Sequence, residues 1–418
     1  MNDQNKIALE AQSLNDEWHA RPGLRVLSGQ RCVHIVTARN ARLLERAGLA
    51  PHEGFTAPHA KYYIANMDAF SVKWEGHTEV SSYTFLTLNE TQDDDALSFL
   101  PASAQEDFLS HSHLGVRVDF LDVAKTQKLG IFKEAKIQLG RQNLYGGLMS
   151  DGHAAVWSSF KLDTDGFLRI LVVDISLTDG RRSRLVQRLL DIETYRFLAI
   201  KALPVARHTM EQLDALEPEL DYVMATLANE SNSHQETLLR KITRIAARAE
   251  QLGSSTAYRF AAAKAYADIV DRRTTEVREG IFENHLRMSV FLDKSFRPAM
   301  RTCDAAKQRA GDLTARVARA ITLLNTMIDM EQKRQNNEIL RSMERQASTQ
   351  VKLQQSVEGF SVFAISYYAV GLISYSLKGL KSAGLQFPND VVSGLIVPIV
   401  LGFSWVTIRF VKRRVAKG

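Results

Sequence analysis

Two stretches near the C-terminal end of the chain carry no charge: FSVFAISYYAVGLISYSL at residues 360–377 and VVSGLIVPIVLGFSWVTI at residues 391–408. A run of about 18 apolar residues is long enough to cross the hydrocarbon core of a bilayer as a helix, and few features restrict a fold as strongly. Glu358 and Lys378 bracket the first run and Asp390 and Arg409 the second, so charge stops where hydrocarbon would begin. Pro398 is compatible with a span, because neighbouring helices can make good the backbone bond it removes. The competing reading is a helical hairpin buried in a soluble core, which the frequent Ser, Tyr and Gly residues also allow. The connecting loop holds Lys378, Lys381 and Asp390, whereas the tail holds Arg409, Lys412, Arg413, Arg414 and Lys417, and Arg341, Arg345 and Lys352 precede the first run. The positive-inside rule then expects both termini in the cytoplasm and a short external loop.

Location also explains the charge. The 418 residues carry a formal charge of +6, and the five tail cations account for most of it. The remainder is close to neutral, so a basic nucleic-acid-binding domain is not expected. Cys32 and Cys303 are the two cysteines and have no C-x-x-C partner, which argues against a disulfide framework or a structural zinc site. The first residues, MNDQNKIALEAQSLNDEW, lack an apolar h-region, so no cleavable secretory signal is expected.

Ahead of the apolar runs the pattern changes once. β-Rich runs begin at Arg31, Phe70, Val80, Leu114, Ala155 and Gly166, with turn signals at Gly76, Asp151-Gly152 and Asp165-Gly166. Helical stretches at 38–47 and 123–138 interrupt them, which predicts an α/β or α+β unit with a mixed sheet over residues 1–180. From Arg181 the period is helical, with Leu185, Leu189, Ile192 and Tyr195 on one face and Pro204 ending the pattern. Gly253 and the Arg297-Pro298 step are expected to divide residues 181–357 into further long helices. The last carries an apolar stripe at Leu313, Val317, Ile321, Leu324 and Ile328 that resumes at Ile339, Met343, Ala347 and Val351, and no Gly or Pro interrupts it before Gly359. A single helix from Asp312 to Leu377 would measure roughly 100 Å. The polar run 331–338 in its middle reads as a solvated stretch of coiled coil. Residues 358–411 form the two-span hairpin, and 412–418 a basic tail.

Candidate sites are few. LNDEWHARPG at Leu14–Gly23 is dense in chemistry, and His77 and Glu79 are expected to alternate onto one strand face with Glu75. With Glu17 and His19 they could make an oxygen-and-nitrogen metal site for Zn or Mn. The alternative is a structural clamp in which Trp18 packs, Arg21 pairs with a carboxylate and Pro22 sets a turn. No H-E-x-x-H, P-loop, G-x-S-x-G or G-x-G-x-x-G pattern accompanies them, so no enzyme class and no cofactor is indicated, and the metal question stays open. Cys303 reads as a small buried residue. In the first apolar run Ser361, Tyr368, Gly371, Tyr375 and Lys378 recur at near-helical spacing. They either line a polar path or serve helix packing and interfacial anchoring.

LNDEWHARP near the start, HTE at His77, LLDIETYR at Leu189 and SVEGFSVFAISYYAVGLISY at Ser356 resemble an uncharacterised family of bacterial membrane proteins over nearly the whole chain. The order of parts is also similar to CorA-type magnesium transporters: an α/β domain, a very long helix running into the first of two C-terminal spans, and a basic tail. That resemblance implies a homo-oligomer in the bacterial inner membrane, a pentamer if it is followed closely, with the first span lining a pore. The sequence departs from it at the outer end of that span, where Ser374-Tyr375-Ser376-Leu377-Lys378-Gly379 stands in place of Gly-Met-Asn. A ring of five lysines about 8 Å from a divalent cation would repel it by roughly 5 kcal/mol in water before screening. The expectation is therefore a channel or transporter for an ion or small solute, gated by its cytoplasmic domain. The alternative is a membrane-tethered sensor or scaffold. The partners implied are lipid and copies of the same chain.

Overall fold

A computed structural model describes residues 23–39, 42–50, 62–88, 95–124, 130–140, 143–229, 235–382 and 389–415. Their packing forms two units, one of Met1–Glu230 with Glu236–Ile321 and one of Thr322–Gly418 with Ser231–Gln235.

The first unit is built on a sheet of eight strands: β1 (Arg31–Ala38), β2 (Tyr62–Asn66), β3 (Phe70–Gly76), β4 (Val80–Thr87), β5 (Ser112–Asp122), β6 (Tyr145–Met149), β7 (Ala154–Leu162) and β8 (Phe167–Asp174). The order is β2-β3-β4-β1-β5-β8-β7-β6, so two three-stranded meanders flank the central β1–β5 pair. All pairings are antiparallel except β5 with β8, which makes the sheet mixed, as expected. β2 and β6 were not anticipated. Each is five residues long, and YGGLM owes its place to packing rather than to β-propensity.

Short helices α1 (Arg42–Arg46), α2 (Ala102–Ser110) and α3 (Ile131–Leu139) cover one sheet face in two patches. Leu43, Leu44 and Phe108 pack on Val33, Ile35, Trp74, Tyr83 and Phe85, while Ala135 and Leu139 pack on Trp157, Leu171 and Val173. The opposite face meets α4 (Asp179–Ile200), α6 (Gln235–Glu276) and the start of α7 (Met288–Ser382), with Leu189, Ile192, Val270, Val277, Leu292 and Phe296 closing the largest core. The result is a three-layer α/β/α body, in which helix α5 (Ala202–Asn229) joins α6 and α7 through Ala202, Ala206, Phe260, Ala263, Cys303 and Ala306.

The last strand ends at Asp174 and α4 begins at Asp179, and the packed unit continues to Ile321. Pro204 lies in the first turn of α5, where its missing N–H costs little. The breaks expected at Gly253 and Pro298 do not occur: both residues are interior to α6 and α7. Gly253 is tolerated at about 1 kcal/mol relative to Ala, and Pro298 stands three turns after the start of a helix held to the sheet by Met288, Leu292 and Phe296.

The β6 edge of the sheet is closed by the α6–α7 connection. Gly280 N–H donates to Leu148 O at 2.7 Å, Gly146 N–H to Leu286 O at 2.8 Å, and Ser150 N–H to Val277 O at 2.9 Å. Gly146 has φ +150°, and a Cβ there would meet the Val156 carbonyl oxygen, so only glycine fits. Glu279 accepts the Met288 and Ser289 N–H groups, the latter at 2.9 Å, and so caps the first turn of α7 with charge of the favourable sign.

In the second unit α7 continues without interruption through the polar run 331–338. Arg334 bonds Glu331 and Glu338 at one-turn spacing there; Arg334 and Glu338 stand in solvent, while Glu331 keeps 15% side-chain exposure. Among the described residues α7 is the one helix long and apolar enough to cross a membrane. The second run forms α8 (Asn389–Val415), whose described apolar part, Gly394–Thr407, falls short of that length.

Candidate functional site

The sheet face under α4 is not apolar throughout. One cross-strand row runs Lys73, Thr84, His34, Val116 and Leu168, polar at the β3 end and apolar at the β8 end. The rows beside it add Ser71, Glu75 and Ser82 to the polar corner. Alternation in FSVKWEG reads as a half-exposed strand, but Lys73 and Glu75 keep only 2% and 6% side-chain exposure because two helices cover them.

Helix α4 matches the divided face with two adjacent stripes. Leu185, Leu189 and Ile192 lie in the apolar core, whereas Gln187, Asp191 and Tyr195 turn toward the polar corner. Helix α6 presents Arg259, Tyr266 and Arg273, seven residues apart, along the same seam. Lys73 Nζ pairs with Glu75 at 3.0 Å and donates to Gln187 Oε1 at 3.3 Å. Gln187 Nε2 donates to Asp191 at 2.8 Å, and Asp191 faces Arg273 Nε at 2.9 Å. Arg273 continues to Glu276 at 2.7 Å, which also receives Arg188 at 3.1 Å. The charges alternate along this chain and cancel in pairs, the condition on which buried ions are tolerated.

A second branch starts at the β3–β4 turn. His77 and Glu79 lie beyond the end of β3, and the His77 N–H donates to Val80 O at 2.8 Å, so the two residues do not alternate on a strand face with Glu75. His77 bonds Ser82 at 3.2 Å and meets Tyr195 edge-on, with the ring centroids 6.0 Å apart. Glu79 pairs instead with Arg259 at 2.9 Å. Tyr195 stacks on Tyr266, whose hydroxyl is pushed up to about 12 by burial and the nearby Glu79 carboxylate. His34 is bonded to Thr84 at 2.9 Å and Thr194 at 3.0 Å, and burial, then His77 and Lys73, push its imidazole down to about 3. It is neutral at physiological pH.

The HTE and LLDIETYR motifs thus meet in space: Asp191, Thr194 and Tyr195 each touch a partner at the polar corner, and Glu193 pairs with Arg196. No group of three or more His, Cys, Asp or Glu side chains placed to hold a metal occurs among the described residues. Glu17, His19 and Arg21 lie outside the described residues. The chain immediately after them is seated on the start of α4, with Arg25 on Asp179 at 2.9 Å and Val26 N–H on Ser183 Oγ at 3.2 Å. Cys303 and Cys32 are buried, their thiols pushed up by burial to about 11 and about 12, and neither is an activated nucleophile. The seam is suited to holding elements together.

The second unit holds the other candidates. Ser366 is 3% exposed, and Val362, Ala369, Val370 and Leu377 on the same side of α7 are half-buried. On α8 the covered stripe is Ile396, Val400, Leu401 and Ser404. At about 100° per residue, Ser361, Tyr368, Gly371, Tyr375 and Lys378 occupy the side of α7 opposite Ser366. Tyr368 and Tyr375 are 71% and 75% exposed, and a Cβ at Gly371 would have no atom within 4 Å. The Lys378 ammonium lies over the Tyr375 ring, 5.7 Å from its centroid.

Searched against curated proteins, the sequence finds no match. A family match runs over residues 10–415, almost the full chain and both units, and on that extent the chain belongs to the family described as protein of unknown function, DUF3422.

Proposed function

We propose that this protein is a homo-oligomer of the bacterial inner membrane that conducts an ion or small polar solute, with α7 and α8 as a two-span hairpin, both termini cytoplasmic, and the α/β/α unit as the gate. The order of parts is the CorA-like one, and no enzymatic role is proposed. The observation that carries the reading is the opposition of faces on α7. Among the described residues one side is covered, while on the other Ser361, Tyr368, Tyr375 and Lys378 are exposed and Gly371 is half-buried. The 3,4 spacing of that open side continues through Val357, Gln354, Gln350, Ala347, Met343 and Leu340, of which Leu340, Met343 and Val357 are 62%, 58% and 64% exposed. A heptad spacing of this length favours parallel association of α7 with its own copies, which brings the hydroxyl-bearing face to a common axis.

The second reading is a membrane-tethered sensor or scaffold, in which the same face only packs. It draws on Lys378, whose charge opposes cation passage, and on Tyr368 and Tyr375, side chains that serve as well to pack or to anchor at an interface. The test is Lys378→Glu in reconstituted liposomes. If the face lines a path, cation flux rises and anion flux falls, more so at low ionic strength. No flux from either form, with assembly verified, establishes the scaffold; flux indifferent to the charge reversal puts Lys378 away from the path.

A further inference from the structure

We propose that the C-terminal end of α8 holds a binding site for the phosphate of an anionic phospholipid, formed by Arg409, Lys412 and Arg413 beside Trp405. Lipid recognition goes beyond conduction and rests on α8 as a membrane span. Helix α8 does not end with its apolar part Gly394–Thr407 but continues to Val415, so Arg409, Lys412, Arg413 and Arg414 follow that part on the same helix within roughly two turns. At about 100° per residue Arg409, Lys412 and Arg413, at i, i+3 and i+4, fall on the side that carries Trp405, whereas Arg414 falls on the far side. The Trp405 side is turned away from the covered stripe of Ile396, Val400, Leu401 and Ser404. Trp405 is 54% exposed, and the Arg409 guanidinium lies over its ring, 4.9 Å from the centroid.

The chemistry of the ligand follows from these groups. An exposed indole just inside the end of an apolar span sits at the level of the lipid headgroups, and a guanidinium in contact with it is held at the same level. There its fork of N–H donors matches a phosphate in bidentate fashion, and Lys412 and Arg413 add positive charge on the same side of the helix. A phosphodiester is the anion that a bilayer presents at this depth. The phosphatidylglycerol headgroup carries that negative charge alone, whereas phosphatidylcholine cancels it with its own choline cation, so the site discriminates between lipids with the same acyl chains. Each cation near the membrane surface contributes about fivefold to the attraction.

The experiment uses the full chain in uncharged detergent micelles doped with equal amounts of phosphatidylglycerol and phosphatidylcholine, with bound lipid counted by native mass spectrometry. Wild type is compared with Arg409→Gln, Lys412→Gln and Arg414→Gln, each of which removes one cation. The wild type retains phosphatidylglycerol over phosphatidylcholine by about tenfold or more, Arg409→Gln and Lys412→Gln each lower that preference about fivefold, and Arg414→Gln on the far side leaves it within about twofold. Inorganic phosphate at the same concentration does not displace the lipid, since it has no acyl chains to bury beside the span. Equal retention of the two lipids overturns the proposal. So does an equal loss in all three variants, which assigns the preference to net charge, or displacement by inorganic phosphate, which makes the site one for free anions. A chain that stays in solution without detergent removes the span itself and the lipid site with it, whereas a detergent-dependent chain with no lipid preference removes the site alone.

Discussion

Replacing Lys73 by Met tests whether the charged corner of the sheet is held by pairing or merely tolerated. Methionine matches the length and apolar stem of lysine, so the substitution removes charge with little change in volume. What it leaves is the Glu75 carboxylate, 6% exposed, without the ammonium group 3.0 Å away. Breaking a buried ion pair from one side costs about 3–5 kcal/mol, because the surviving charge stays desolvated. Removing both charges, as in Lys73→Met with Glu75→Leu, should restore stability to within about 1 kcal/mol of wild type, since the ions no longer need solvating. The exposed pair Arg240–Glu236, at 78% and 80% side-chain exposure, serves as control and should lose no more than about 0.5 kcal/mol in Arg240→Ala. Scanning calorimetry at one fixed heating rate reads the difference as a fall in Tm on the order of 10 °C for the single buried variant. A single variant within about 2 °C of wild type, or a double variant no more stable than the single, would refute the reasoning.

Three further outcomes are expected. The His34 imidazole, held near 3 in the folded protein against about 6.5 unfolded, gives stability that is fully present above about pH 6.5 and is lost by about 1.4 kcal/mol per pH unit as pH falls toward 3. His34→Gln, which can still bond Thr84 and Thr194, should flatten that slope in urea titrations at stepped pH; Asp191, with its proton affinity raised by burial, contributes with the opposite sign and is unaffected by the change. Gly146→Ala should cost at least about 2 kcal/mol, because the new methyl meets the Val156 carbonyl, whereas Gly152→Ala at φ +88°, with no atom within 4 Å, should cost only about 1 kcal/mol. Glu279→Gln gives up one of two charge-assisted caps on α7 and should destabilise by about 1–2 kcal/mol, seen as faster exchange of the Met288 and Ser289 amides.

The parts of the fold legible in the sequence are those whose residues state their own environment. Val33, Ile35, Leu171 and Val173 are buried in central strands, and FAISYYAVGLIS is helical and charge-free. Pro298 and Gly253 misled because a local propensity of a few kcal/mol is overridden when tertiary packing holds the flanking turns. The polar seam was only half visible. HTE and LLDIETYR stood out as motifs, but Lys73 drew no reading, since a charge in an alternating strand usually faces outward, and nothing local says that α6 returns to cover it. The signal that could have revealed it is the match between polar alternation in β3 and β4 and a second, polar stripe on α4 at Gln187, Asp191 and Tyr195.

The stitching of β6 by residues near Val277 to Leu286 also sets an order for synthesis. The edge strand leaves the ribosome about 130 residues before the segment that covers it, which at about 5–20 residues per second means roughly 6–26 s with bare amide and carbonyl groups. During that interval the nascent sheet can pair with other chains, so expression in excess of chaperone capacity should fail by aggregation of this edge. The covering segment in turn precedes the apolar run 360–377 by about 70 residues, some seconds of elongation. The β6 edge is therefore covered before the most hydrophobic part of the chain is made.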